Sequence, residues 1–197
     1  MATVGDAVTL AEMAKREDPN GVIADLVELL NEENEILDDL LVMEGNLPTG
    51  HRTTVRTGLP SATWRLLNYG VPTSKSKTKQ VDDTCGMLES YAEVDKALAD
   101  LNGNTAAFRL QEDKAFLEAM NQEMGKTLFY GDTTTHPERF VGLAPRYNDK
   151  NADSGENIID GSGTGSDNCS IWLVVWGANT VHGVTPKGSK TGFQHRD

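Results

Sequence analysis

An α+β fold is predicted by three stretches of the sequence. Residues 45–71, GNLPTGHRTTVRTGLPSATWRLLNYGV, set two runs rich in Thr, Val, Leu, Trp and Tyr on either side of Thr57-Gly58-Leu59-Pro60-Ser61. β-branched and aromatic residues around a Gly/Pro turn are a strand-turn-strand signal. Residues 105–130 place Phe108, Phe116, Leu117, Met120, Met124 and Leu128 along one helical face, with Gln111, Glu112, Asp113, Lys114, Glu118 and Glu123 mostly elsewhere. Residues 171–177, IWLVVWG, form a continuous apolar run of strand length, which predicts a buried central strand.

The totals narrow the function classes. A chain of 197 residues is long enough for one domain or two small ones with a substantial core. No run approaches the roughly 18 apolar residues of a membrane span, and MATVGDAVTLAEMAKRED lacks the apolar centre of a signal peptide, so a cytoplasmic chain is expected. Cys85 and Cys169 have no Cys or His neighbour at metal-ligand spacing, and two free thiols are expected. A net charge of −12 argues against a surface that wraps nucleic acid, which needs a Lys/Arg footprint. The charge is also segregated. Ten acids and no base lie from Glu17 to Glu44, among them Glu35, Asp38 and Asp39; six bases and no acid lie from Arg52 to Lys79. Such blocks pair within a chain or between copies of it, and charge alone does not separate the two.

In chain order, residues 9–15 predict a short helix closed by Asp18-Pro19-Asn20-Gly21. Val22, Ile23, Leu26, Val27, Leu30, Leu37 and Leu41 recur mostly at three- and four-residue steps, predicting an amphipathic helix with an acidic outer face that ends at Gly45 and Pro48. The basic hairpin follows, carrying Arg52, Arg56 and Arg65; an isolated two-stranded ribbon is marginal in water, so it needs a partner surface. A polar link over 72–77 leads to a strand from Lys79 to about Tyr91, and Asn102-Gly103-Asn104 breaks the chain. The helix over 105–130 spans roughly 35–40 Å, at about 1.5 Å per residue. Its Met stripe reads as core packing. Gly131-Asp132 ends it, an ordered connection covers 136–145, and the Gly/Ser/Asp/Asn-rich stretch 148–168 predicts a boundary or mobile loop. A further strand at 181–184 precedes the turn Pro186-Lys187-Gly188-Ser189, leaving little sequence to flank the central strand.

No chemistry-bearing constellation emerges. The Gly161-Ser162-Gly163-Thr164-Gly165 run precedes a strand, whereas a dinucleotide loop follows one and opens a helix. Residues 183–190 miss a phosphate loop by a transposed Ser and Lys, and Pro186 removes an N–H. His51, His136, His182 and His195 are scattered, with none at a zinc-binding i, i+4 spacing. Asp38 and Asp39 are adjacent and diverge on a helix, so they do not form a working carboxylate pair. Neither a nucleophile elbow nor an activated Cys is evident.

The order of parts, together with residues 45–71 and the segments CGMLESYAEVDKALADLNGNTAAFR, MGKTLFYGDT and IWLVVWGANTVHG, resembles the major capsid proteins of short-tailed bacteriophages. The resemblance covers nearly the whole chain. It implies the Hong Kong ninety-seven phage-like tailed-phage capsid fold, with an N-arm over 1–44, an E-loop over 45–80, a peripheral domain with a spine helix over 81–147, and a partial axial domain over 148–197. Such subunits are appreciably longer, so Asp197 is expected to be a truncation. The implied function is self-assembly into hexamers and pentamers of an icosahedral head around double-stranded DNA, without cofactor, metal or catalytic residue. A portal and scaffold or decoration proteins are the implied partners, the virion the destination, and the bacterial host cytoplasm the place of assembly. Between subunits, Arg52, Arg56, Arg65 and Trp64 of the hairpin are expected to meet Glu35, Asp38 and Asp39 of a neighbour. An encapsulin-like compartment enclosing protein is the alternative within the fold. A nucleotide-binding enzyme using Gly161–Gly165 is the alternative outside it.

Overall fold

The computed structural model describes residues 8–16, 34–103, 105–163, 165 and 168–189. In order, the elements are α1 (Leu10–Ala14), α2 (Glu35–Asp38), β1 (Val42–Glu44), β2 (Gly50–Gly58), β3 (Lys77–Thr84), α3 (Lys96–Ala99), α4 (Thr105–Tyr130), α5 (Leu143–Arg146) and β4 (Gly183–Thr185). The chain divides into two units, one of residues up to Glu35 with Leu88–Lys126, the other of Ile36–Met87 with Thr127 onward.

In the first unit, α1 is set by a reciprocal cap: the Glu12 amide donates to the Thr9 hydroxyl, and the Glu12 carboxylate accepts from the Thr9 amide. The Thr9 amide and hydroxyl, both donating to the Glu12 carboxylate, hold it below its ordinary range. Met13 then packs with Leu98 and Ala99 of α3 and Phe108 of α4, flanked by Val8 and Val94. Arg16 closes this small core, its guanidinium 5.6 Å over the Phe108 ring and paired with Glu112. The expected helix from Val22 through Leu30 and the turn at 18–21 lie outside the described residues.

In the second unit, β1 pairs parallel with β4, Val42 opposite Gly183 and Glu44 opposite Thr185. The helix expected to end at Gly45 and Pro48 therefore stops at Asp38, where pairing of Val42–Glu44 with β4 overrides local helical spacing. β2 and β3 form an antiparallel pair. The end of α4 is closed by Gly131, whose amide bonds the Thr127 carbonyl at 2.8 Å, and by Gly142, whose amide bonds the Gly131 carbonyl at 2.7 Å. A Cβ on Gly142 would stand within 3 Å of the backbone of Thr127, Leu128 and Gly131, so glycine is required by space. Leu143 is buried there, and Trp172 lies between the Phe129 and Tyr147 rings at 6.2 and 6.3 Å.

Three expectations are corrected. The apolar stripe of α4 buries Phe108 and half-buries Phe116, Met120, Met124 and Leu128, while Leu117 is exposed. The strand from Lys79 stops at Thr84, and 85–95 has no regular structure; Gly86 lies too close to the Glu138 carbonyl for a side chain, so the chain there packs on 138–139 instead of continuing a ladder. The run over 171–177 is not a buried central strand. It alternates: Trp172, Val174 and Trp176 are half-buried, whereas Ile171 and Leu173 are 97% and 94% exposed and Val175 is exposed too. Its one bridge joins Trp176 to Val181, so among the described residues no sheet covers the other face. No helix among the described residues is long and apolar enough to cross a membrane.

Candidate interaction surface

The basic hairpin is built differently from its sequence signature. The return strand expected at 62–71 is instead β3, and residues 59–76 form a tip without ladder pairing. Pro60 and Pro72 cannot donate to a ladder, whereas Lys77–Thr84 brings Asp82 opposite Arg52. Thr57 is the extra residue where the register shifts between Arg56 and Gly58. At the base, a Cβ on Gly50 would stand 1.9 Å from the Asp83 carbonyl, and the Cys85 amide bonds the Thr49 carbonyl at 3.2 Å.

Register sorts the side chains into two faces. One carries Arg52 opposite Asp82, Thr54 opposite Gln80 and Arg56 opposite Thr78; the other carries His51 opposite Asp83, Thr53 opposite Val81 and Val55 opposite Lys79. Arg52 grips Asp82 through two parallel bonds of 2.6 and 2.7 Å. Its backbone amide and carbonyl are both bonded by the Asn46 side chain at 2.8 Å. The pair lowers the Asp82 carboxyl and raises the Arg52 guanidinium, chiefly through these hydrogen bonds.

Arg52, expected to face a neighbour, is thus engaged within its own hairpin. Arg56 and Arg65 are exposed, and among the described residues no ion pair joins them, Lys75 or Lys77. Charge is neutralised toward the base and left positive toward the tip. The tip also exposes Leu59, Leu66, Leu67, Tyr69 and Val71, and Trp64 is fully open. It is shaped by little: the Tyr69 amide bonds the Leu66 carbonyl at 3.2 Å around Asn68, whose φ is +68°, and the Ser74 hydroxyl reaches the Ser61 carbonyl at 3.0 Å. Apolar side chains interleaved with unpaired bases make a surface that loses water contact only against a partner.

Glu35 and Asp38 lie on α2 and Asp39 just after it; all three are exposed. No described residue pairs with them. Gly161–Gly163 open no helix, and a Cβ on Gly161 would meet open space, so the glycine run is not drawn around a phosphate. No group of three potential metal ligands occurs among the described residues. Sequence reading missed Asp82, Asp83 and Asp153, each paired with a base, and Arg146, which is the partner of Asp83. The adjacent acids Asp82-Asp83, directly after a basic block, were the available signal.

The sequence model of the family described as major capsid protein GP7 matches residues 18–197. In a solved structure of bacteriophage Epsilon15 derived from cryo-EM and modelling, one chain is 42% identical and superposes with a TM-score of 0.64. The match covers 100% of this chain and 60% of that one, so this chain spans less than two thirds of that relative's length. No curated protein matches it.

Proposed function

The chain belongs to the major capsid protein GP7 family and has the α+β fold of tailed-phage capsid proteins, and from that premise we propose that it is a structural subunit of a phage head. Copies assemble into hexamers and pentamers of an icosahedral shell that encloses double-stranded DNA without reading its sequence, and no catalytic step is involved. A portal completes the shell, scaffold or decoration proteins are its further partners, and assembly takes place in the host cytoplasm before the subunit resides in the virion. The segments 1–44, 45–80, 81–147 and 148–197 serve as N-arm, E-loop, peripheral and axial parts.

One observation carries the mechanism: the hairpin ends in a tip whose apolar side chains are exposed and whose bases have no ion-pair partner among the described residues. In a shell, the tip lies on a neighbouring copy, where Trp64 supplies desolvated area. Arg56 and Arg65 meet the neighbour's acids, Glu35, Asp38 and Asp39 being the exposed candidates. Charge complementarity then sets register and assembly rate, and repetition multiplies weak contacts into a stable shell. Arg52 keeps the hairpin itself intact.

Electron microscopy of particles from expressing cells tests this. Arg56→Glu with Arg65→Glu should abolish shells and leave folded, soluble subunits, and Asp38→Arg with Asp39→Arg on the same chain should restore some assembly. Normal particles from the arginine variant would overturn the reading. Protein instead of DNA inside purified particles would shift it to an encapsulin-like compartment.

A further inference from the structure

The second face of the hairpin, away from Arg52 and Arg56, meets α5 and the loop after it. Arg146, the last residue of α5, pairs with Asp83 near the hairpin base. Lys79, four residues along β3 toward the tip and about 13 Å away by strand geometry, pairs with Asp153 at 3.5 Å. The signs alternate: β3 offers a base then an acid, and the facing segment offers an acid and a base. This segment is braced before it meets the hairpin. The Arg146 Nε donates to the Val141 carbonyl at 3.3 Å, the Ser154 hydroxyl to the Arg146 carbonyl at 3.0 Å, and Lys150 pairs with Asp160.

We propose that α5 and the loop through Asp153 form a two-point electrostatic clasp that holds the hairpin shaft in one pose in the free subunit. The alternating signs fix where along β3 the clasp engages, since a shift that brought Lys79 toward Arg146 would set like charges together. Half-exposed pairs of this kind are individually weak, so the clasp biases a pose without locking it, by about threefold to tenfold in the ratio of held to released hairpin. The clasp lies within one subunit, so it holds whatever the tip binds.

The test uses the unassembled full chain with spin labels introduced through unnatural amino acids at Thr54, on the paired shaft and its face away from the clasp, and at Asn148, leaving both cysteines in place, and reads their distance distribution by double electron–electron resonance. The wild type should give a narrow distribution that broadens in about 1 M salt, where the screening length falls to about 3 Å. Arg146→Glu and Asp83→Lys should each broaden it at low salt, and the two together should restore it. The exposed pair Lys79→Glu and Asp153→Lys should behave likewise, which guards against a base substitution that merely unfolds. Distributions unchanged by the single charge reversals, or double reversals that fail to narrow them, would overturn the clasp.

Discussion

Arg52 and Asp82 stand directly opposite each other, and the two bonds between them consume the charges of both. The folded Asp82 carboxyl titrates below its ordinary value, so its contribution to hairpin stability is complete above that value and disappears as pH falls through the lower, folded one. Amide protection factors across β2 and β3, with exchange rates corrected for their intrinsic pH dependence, should therefore fall below about pH 4, by about threefold for an exposed pair; Asp82→Asn should show the same loss of protection already at pH 7. Exchange insensitive to both would mean that backbone pairing alone holds the ribbon. The two cysteines differ as sharply. The Cys85 thiol, half-buried and beside Asp83, has its pKa raised, chiefly by that burial, and bonds the Val184 carbonyl at 3.3 Å, whereas Cys169 is exposed. Only the thiolate is nucleophilic. Iodoacetamide followed by peptide mass spectrometry should modify Cys169 first, and equal rates would show that the packing around Cys85 opens readily.

Among the elements, α4 is held differently at its two ends. Near its start, Phe108 is the largest fully buried side chain of a small cluster formed with α1 and α3. Phe108→Ala should cost about 3 kcal/mol or more, visible as a lowered thermal midpoint of the helical signal. At its close, three backbone groups crowd the space above Gly142. Gly142→Ala should destabilise by about 1–3 kcal/mol, the cost of forcing atoms into a packed site. A variant as stable as the parent in urea would show that the turn after α4 yields easily. The hairpin has no such core. Its shaft relies on ladder bonds and ion pairs, and its tip on one turn and one hydroxyl bond.

At the scale of the molecule, the exposed apolar side chains among the described residues include a group at the hairpin tip and another at Ile171, Leu173 and Val175. A monomer seldom leaves such groups open. The proposed function accounts for the tip: in a shell it would be covered by a neighbouring copy. On that reading, loss of shells in Arg56→Glu with Arg65→Glu should come with unchanged circular dichroism and melting, because neither arginine has an ion-pair partner among the described residues. A lowered melting point would move these residues from the interface to the fold.

Much of this was legible in the residues. The 26-residue helix, its stop at Gly131, the short helix near Thr9 and the turn at 186–189 follow from periodicity and local steric rules, which act over a few residues and are written in adjacent letters. The family, too, could be read from contiguous segments, and an exposed basic ribbon from its uninterrupted charge. Pairing was different. That β2 takes Lys77–Thr84 and not 62–71, that β1 leaves the acidic helix to join β4, and that Arg52 spends its charge on Asp82 were decided by the tertiary structure. Strand partners are chosen by which ladders and cross-strand charges can be satisfied together over long separations, and no local window of sequence contains both sides of that choice.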